Sequence, residues 1–530
     1  MKTCRVLSKI TALCLALLMA VSALSTAAFA ITSTDKGTIS VSGVENDVTV
    51  SAYRLMDVNY DFDKNQPVDP VYRWVDSVQT WVNTNYPAYR DANEFNTKNV
   101  NADKAAEFYD NLSAAIKGGS VALTPTNRTG SGDITGLLMG NYLILIENGM
   151  NVYRPSAVNL VPQWNKDKEQ WEMSTPVEVL VKASEPSLDK SINENIKDEH
   201  PTGKDSVSTA DNIIGRDNVN IGDTINFDLR ADIPQYPDNA IAKNYAVSDK
   251  LSAGLTLDSS SIKVYGVAAG GTDTPLNEAD YTIKWVRPSN GAPTSFTVEF
   301  DYDSIKGYDK VHIHYEAVLN ENAEIGSAGN PNEAYLDYSN NPYNTASWKS
   351  MEDKVTVYTY GIDVTKTNKT TPSMLLTGAE FELSKIDGGP ALKFFKSDDG
   401  FYHLAKAGET GTTVLAVGGE GAGAMKGKLQ LVGLDAGTYY LKETKAPDGY
   451  NKISTPIEII IADSDYDGSV EVDLDDLSSG LVPVTVQNSQ GFELPTTGGI
   501  GTVLFTAVGV VLMGAGLVMF FLNRKRRKAE

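Results

Sequence analysis

Tyr439-Tyr440-Leu441-Lys442-Glu443-Thr444-Lys445-Ala446-Pro447-Asp448-Gly449-Tyr450 is the stretch from which the fold can be read. Its first part alternates, so a strand puts Tyr440 and Lys442 on one face and Leu441 and Glu443 on the other. Pro447-Asp448-Gly449 then turns the chain. Glu443 points the same way as an apolar leucine, into a sandwich interior, where a lone carboxylate is costly unless neutral or paired. The plainer alternative is a surface glutamate on an edge strand.

The same texture runs outward from this stretch. Short alternating runs rich in Val, Ile, Thr and Tyr recur between Gly, Asn, Asp and Pro. Examples are 37–43, 310–319 and 455–461. Helical periodicity appears mainly at 72–83 and 103–117. The expected class is mainly β: three immunoglobulin-like β-sandwiches in tandem, the first with helical insertions.

The two ends carry their own signals. Lys2, Arg5 and Lys9 precede an apolar stretch from Ile10 to Leu24, and Ala28-Phe29-Ala30 is a small-x-small cleavage site, so 1–30 reads as a secretory signal peptide. Both cysteines, Cys4 and Cys14, lie inside it, and the exported chain must be stabilised without disulfides. At the other end, Leu494-Pro495-Thr496-Thr497-Gly498 precedes an apolar run over 499–522 and five basic residues in 523–530. The run is long enough to cross a bilayer, for which ~20 residues are needed, and the basic tail fits a cytoplasmic end. Without the eight basic and one acidic residue of these two ends, the 46 basic and 68 acidic residues of the chain leave a net charge of −29. So acidic a surface keeps an exported protein soluble and argues against nucleic acid as a partner.

A mature part of roughly 465 residues suggests three domains. Breaks near Ser184-Glu185-Pro186-Ser187 and Met351-Glu352-Asp353 divide it into 31–183, 184–352 and 353–491.

The C-terminal order of pentapeptide, apolar span and basic tail resembles a cell-wall sorting signal, which a sortase cuts between Thr497 and Gly498. The stretch 443–450 resembles the E-box of Gram-positive pilins, found in collagen-adhesin B-type sandwich domains. In that family a lysine on the first strand bonds spontaneously to an asparagine on the last. The resemblance implies a Lys366–Asn488 isopeptide with Glu443 as catalyst. The chemistry suits these residue types: burial favours the neutral, nucleophilic amine and a protonated carboxyl that can pass protons. Ammonia leaves and no cofactor is needed.

In the middle domain the resemblance implies Lys190, in Leu188-Asp189-Lys190-Ser191-Ile192, as nucleophile and Asn332 as its partner, on a strand read as the closing one. The resemblance implies an aspartate as the catalyst there, with Asp249 the first choice and Asp228 the second. The first domain has no lysine in 38–42. Its Gly140-Asn141-Tyr142-Leu143-Ile144-Leu145-Ile146-Glu147 is a degenerate E-box without an evident partner, so no internal bond is expected. The stretch 161–183 resembles the pilin motif of shaft subunits, with Leu180-Val181-Lys182 where the usual pattern has Tyr-Pro-Lys. Lys182 is accordingly the expected acceptor for a neighbour's Thr497, with Lys190 next by position.

The resemblance implies a shaft subunit whose partners are copies of itself, a sortase, minor pilins and peptidoglycan, on the cell surface. Adhesion to a host surface ligand, through the first domain above all, is compatible with that role. The alternative is a wall-anchored adhesin or minor base pilin, which needs no acceptor lysine. A tip adhesin would carry a metal-dependent Asp-x-Ser-x-Ser insert. His312 and His314, two apart on a strand, read as a surface pair rather than a metal site, and no turnover-enzyme motif appears.

Overall fold

Residues 31–490 and the helix Ile500–Arg526 are described in the computed structural model, apart from 33–34, 98–99, 174–175, 193–215, 288–292, 399, 407, 465–466 and 473–474. The expected signal peptide (1–30), the sorting motif (494–498) and the end of the basic tail lie outside the described residues. Ile500–Arg526 is one helix of 27 residues. Among the described residues no helix is long and apolar enough to cross a membrane. The expected span over 499–522 falls on this helix, of which the side chains from 506 to 520 are described.

The protein is mainly β. Its first unit packs a sheet of Gln66–Trp74, Thr49–Asp61, Gly140–Glu147 and Ser156–Leu160 near a three-stranded sheet of Val177–Leu180, Gly37–Ser42 and Gly132–Leu137. Two helices, Asp76–Asn85 and Ala102–Lys117, cover it through an aromatic-rich core around Trp74, Phe95 and Phe108. Asn101 caps the second helix by accepting from Asp103 N. The first begins four residues later than its periodicity suggests. Tyr72 and Trp74 alternate inward on a strand paired with Val58 and Met56, so pairing overrides the helical pattern.

The middle sandwich has one sheet in the order Leu188–Ile192, Thr224–Asp232, Lys310–Leu319, Leu255–Val267, Asp273–Pro275. The facing sheet runs Arg216–Asn218, Lys349–Tyr358, Asn330–Tyr338, Tyr245–Leu251, Ser295–Phe300, Tyr281–Val286. Alternation sets the interior: Val311, Ile313, Tyr315, Ala317 and Leu319 are fully buried on one strand. Two expectations change here. Asn330–Tyr338 is not the closing strand, because Lys349–Tyr358 pairs with it along its whole length. The 352/353 boundary consequently falls inside a strand. Val355 and Val357 belong to the middle core, and the chain passes to the third sandwich at Thr359.

The third sandwich opens with Tyr360–Asn368, which lies between Lys428–Leu434 and, in parallel, the last strand Leu481–Asn488. Its facing sheet holds Leu415–Ala416, Glu380–Ser384, Gly437–Lys445 and Ile457–Ile461. The joint to the middle sandwich is close. Gly326 has φ +79° and a side chain there would meet Ser478 O at 2.5 Å, so only glycine fits.

Candidate functional site: two buried lysine, carboxyl and asparagine clusters

Within the third sandwich, Lys366, Glu443 and Asn488 converge between the sheets. The parallel pairing of first and last strands aligns Lys366 with Val486 and Asn368 with Asn488, which brings the lysine and Asn488 to one end of the core. Glu443 reaches them from the opposite sheet, on the face it shares with buried Tyr439 and Leu441. Its Oε2 accepts from Asn488 Nδ2 at 3.0 Å and from Ile453 N at 2.7 Å. Its Oε1 lies 3.5 Å from Lys366 Nζ. All three side chains are sealed from water. Burial pulls the Lys366 amine down to about 8, against the opposing pull of Glu443. The amine donates to Val486 O at 3.1 Å, while Asn488 Oδ1 is buried with no hydrogen-bond partner.

The middle sandwich holds a second such cluster. Lys190 projects from the edge strand Leu188–Ile192, and its backbone N donates to Asp353 Oδ2 at 2.7 Å. Asp249 and Asn332 come from neighbouring strands of the facing sheet, where Asp249 pairs with Ala334 and Leu251 with Asn332. Lys190 Nζ contacts Asp249 Oδ2 directly, both side chains having no solvent exposure. Burial lowers the affinity of the lysine for its proton and raises that of the aspartate, so the pair is pushed toward its neutral form. Asn332 is fully buried and its Oδ1 has no partner. Sequence reasoning missed Tyr315, whose hydroxyl sits among all three. It donates to Asp249 Oδ1 at 2.8 Å and accepts from Lys190 Nζ at 2.9 Å and Asn332 Nδ2 at 2.6 Å. The signal for it was the inward alternation of Lys310–Leu319.

Asp228, the second aspartate considered, lies on the other face of its sheet. Ile225, Phe227 and Leu229 take the inward positions, and Asp228 turns away to meet the two histidines. Its Oδ1 bonds His312 Nε2 at 2.7 Å and His314 Nδ1 at 2.9 Å, and His312 Nδ1 reaches Asp273 Oδ2 at 2.7 Å. The expected surface pair is thus only half at the surface: His314 is partly exposed. His312 is buried, and Asp228 and Asp273 raise its proton affinity although burial works the other way. Among the described residues no group of three or more such side chains has metal-holding geometry.

Glu147, at the end of the degenerate E-box, pairs with Lys117 and accepts from Asn341 Nδ2 of the middle domain at 2.9 Å. The residue types match the other two clusters, but the Lys117 and Glu147 side chains remain 17% and 24% exposed. Water can solvate both charges, so the group acts as an ion pair at the domain junction. Lys182 is exposed between the strands Val177–Leu180 and Ala183–Ser184, with its carbonyl oxygen accepting from Arg154 N at 3.1 Å. Lys190, the second acceptor considered, is buried and closed to another subunit. Thr497, the expected partner of Lys182 in a neighbouring chain, is outside the described residues, as are Leu494, Pro495, Thr496 and Gly498.

Fold and site together define a tandem-sandwich protein with a sealed lysine, carboxyl and carboxamide in each of its last two sandwiches. Comparison with known proteins agrees. Residues 221–342 match the Gram-positive pilin backbone subunit 2, Cna-B-like domain; 361–476 match a prealbumin-like fold domain; 486–530 match the LPXTG cell wall anchor motif. The chain is 25% identical over 405 residues to the trypsin-resistant surface T6 protein of Streptococcus pyogenes serotype M6, covering 66% of this chain and 70% of that one. It is 23% identical over 348 residues to the fimbrial subunit type 1 of Actinomyces viscosus, covering 58% and 62%. The solved T6 backbone pilin of S. pyogenes serotype M6, described as a modular three-domain structure, superposes with a TM-score of 0.55 at 17% identity, over 87% of this chain and 100% of that one, a likeness of fold. The chain carries a pilin-backbone Cna-B-like domain, a prealbumin-like domain and an LPXTG anchor motif, is homologous to the T6 pilin and the Actinomyces fimbrial subunit, and is a cell-wall-anchored surface pilus protein.

Proposed function

We propose that this chain is the shaft subunit of a covalently polymerised pilus. A sortase cuts between Thr497 and Gly498 and joins Thr497 to Lys182 of the next copy. Two self-formed amides, Lys190–Asn332 and Lys366–Asn488, brace the subunit. The observation that carries this reading is the desolvation of both lysines against a carboxyl group and an asparagine. A sealed amine beside a carboxamide whose oxygen has no partner costs stability unless the groups react, which favours this reading.

The chemistry is a single turnover within one chain, with Asp249 and Glu443 as proton carriers. Each amide closes a loop of more than 100 residues. By analogy with a disulfide that restricts the unfolded chain by roughly 4–5 kcal/mol. Head-to-tail linkage is a heterologous contact that does not close, so it yields a filament. Peptidoglycan would terminate the polymer at the wall, and minor pilins would join by the same reaction.

Intact-mass measurement of the purified mature chain tests the bracing amides. Each expels one ammonia, ~17 Da, so two bonds predict a deficit of ~34 Da. Tandem spectra of tryptic digests should show branched peptides joining 190 to 332 and 366 to 488. A chain at its full sequence mass removes the proposal.

A further inference from the structure

The two clusters solve one chemical problem with different parts. Glu443 touches both reactants of the third sandwich itself, Oε1 facing Lys366 Nζ and Oε2 facing Asn488 Nδ2. Asp249 is shorter by one methylene, ~1.5 Å, and it stands in the same sheet as Asn332 rather than across from it. Among the described residues no hydrogen bond joins Asp249 to Asn332. The oxygen of Tyr315 fills that gap, in contact with the amine, the carboxyl and the carboxamide nitrogen. The ring is held in place by Phe227, stacked at 5.3 Å, and by Phe296, edge-on at 5.1 Å. The oxygen is therefore pre-positioned and fully buried.

We propose that Tyr315 is a catalytic residue of the middle-domain reaction, relaying a proton from Asp249 to the departing nitrogen of Asn332. This rests on the amide-forming reading above. The relay balances. In the neutral pair Asp249 carries one proton. As Lys190 Nζ bonds to Cγ of Asn332, Nζ passes a proton to Oδ2 of Asp249. Once Cγ is tetrahedral and the Nδ2 lone pair is free, the hydroxyl turns from Oδ1 to Nδ2, so that Oδ1 of Asp249 passes a proton to the Tyr315 oxygen while the phenol passes its own to Nδ2. The Cγ–Nδ2 bond breaks and ammonia leaves. Asp249 ends with the proton count it began with, and Tyr315 is unchanged. The phenol never carries a charge, which suits a site where ionising it would be costly. In the third sandwich the same shuttle needs two proton transfers through Glu443; in the middle one it needs three.

The test refolds the mature chain from inclusion bodies and follows each branched peptide by mass spectrometry over time. Tyr315→Phe should form the 190–332 link at least tenfold more slowly and the 366–488 link at the wild-type rate. Asp249→Glu added to Tyr315→Phe should recover most of the lost rate by restoring direct reach. A wild-type rate in Tyr315→Phe overturns the relay, as does a folded double variant that stays as slow as the single one. If Tyr315→Phe does not fold, the wild-type chain refolded in D2O decides. Three transfers predict a larger solvent isotope effect on the 190–332 link than on the 366–488 link, and equal effects overturn the proposal. A wild-type chain with no 190–332 link at all would instead remove the amide-forming reading itself.

Discussion

Asn488 Nδ2 donates to Glu443 Oε2 at 3.0 Å across the interior of the third sandwich, from the last strand to the E-box strand. This contact leaves Lys366, 3.5 Å from the other carboxylate oxygen, as a buried amine whose covalent outlet, under the proposed reaction, is Asn488. Blocking that outlet should expose the cost of burying it. In Asn488→Ala, Lys366 keeps its amine, held down to about 8 from an unfolded value of 10.5. A depressed folded value means that the unfolded chain binds more protons between those two pH values. Stability should rise with pH across that window, by about 3 kcal/mol in all, and be lost again as pH falls through about 8. Thermal melts of the isolated variant from pH 7 to 10.5 check this. The bonded wild type, whose Lys366 is an amide, should lack the rise.

Asp228 offers a contrasting outcome. It lies on the outer face with His312 and His314, away from Lys190. Asp228→Asn should therefore leave the 190–332 link at full yield, whereas Asp249→Asn abolishes it. Peptide mapping of the two variants separates them.

The same histidine cluster should give a pH dependence of opposite sign. Despite the effect of burial, bonds to Asp228 and Asp273 raise the proton affinity of His312. A raised folded value contributes stability that is complete below the unfolded value of 6.5 and is lost as pH rises through the folded one. In a Lys190→Ala background, where no amide masks the equilibrium, the middle domain should lose stability as pH climbs above neutrality. His312→Gln should flatten that slope. Denaturant midpoints between pH 5 and 9 measure it.

Tension has a defined route if both amides form. Entering at Lys182, it crosses from Lys190 to Asn332 and from Lys366 to Asn488, bypassing most of each sandwich. The chain between Asn332 and Lys366 stays in the path. Asn332 is paired with Val355, so the hairpin of Asn330–Tyr338 and Lys349–Tyr358 is loaded at one end and unzips bond by bond. Single-molecule pulling should show one short extension, at most ~100 Å for about 30 residues. Lys190→Ala should add an extension several times longer as the whole middle domain opens. A wild-type trace with long extensions would contradict the route.

Polymerisation tests the exposed lysine. Cells expressing the wild-type chain should give an SDS-resistant ladder on immunoblots, and Lys182→Ala should reduce it to monomer. An unchanged ladder would move the acceptor elsewhere.

The sequence by itself determined the faces of the strands, because side chains alternate with a period of two whatever the strands pair with. That places Glu443 beside Leu441 and Asp249 beside Val247 and Leu251, and it turns Asp228 away from Phe227. The inward position of Tyr315 was equally legible. Partnership was not. Whether Asn332 sits on the last strand depended on how far Lys349–Tyr358 continues, and the helix start at Asp76 depended on strand pairing before it. His312 is covered because Asp228, Asp273 and the Tyr265 ring arrive from other strands. Only the packing of one sheet on the other decided that Glu443 reaches Asn488 unaided while Asp249 meets Asn332 through a phenol. That outcome turns on a methylene and on which sheet each group stands in, and these are distances between strands far apart in the chain.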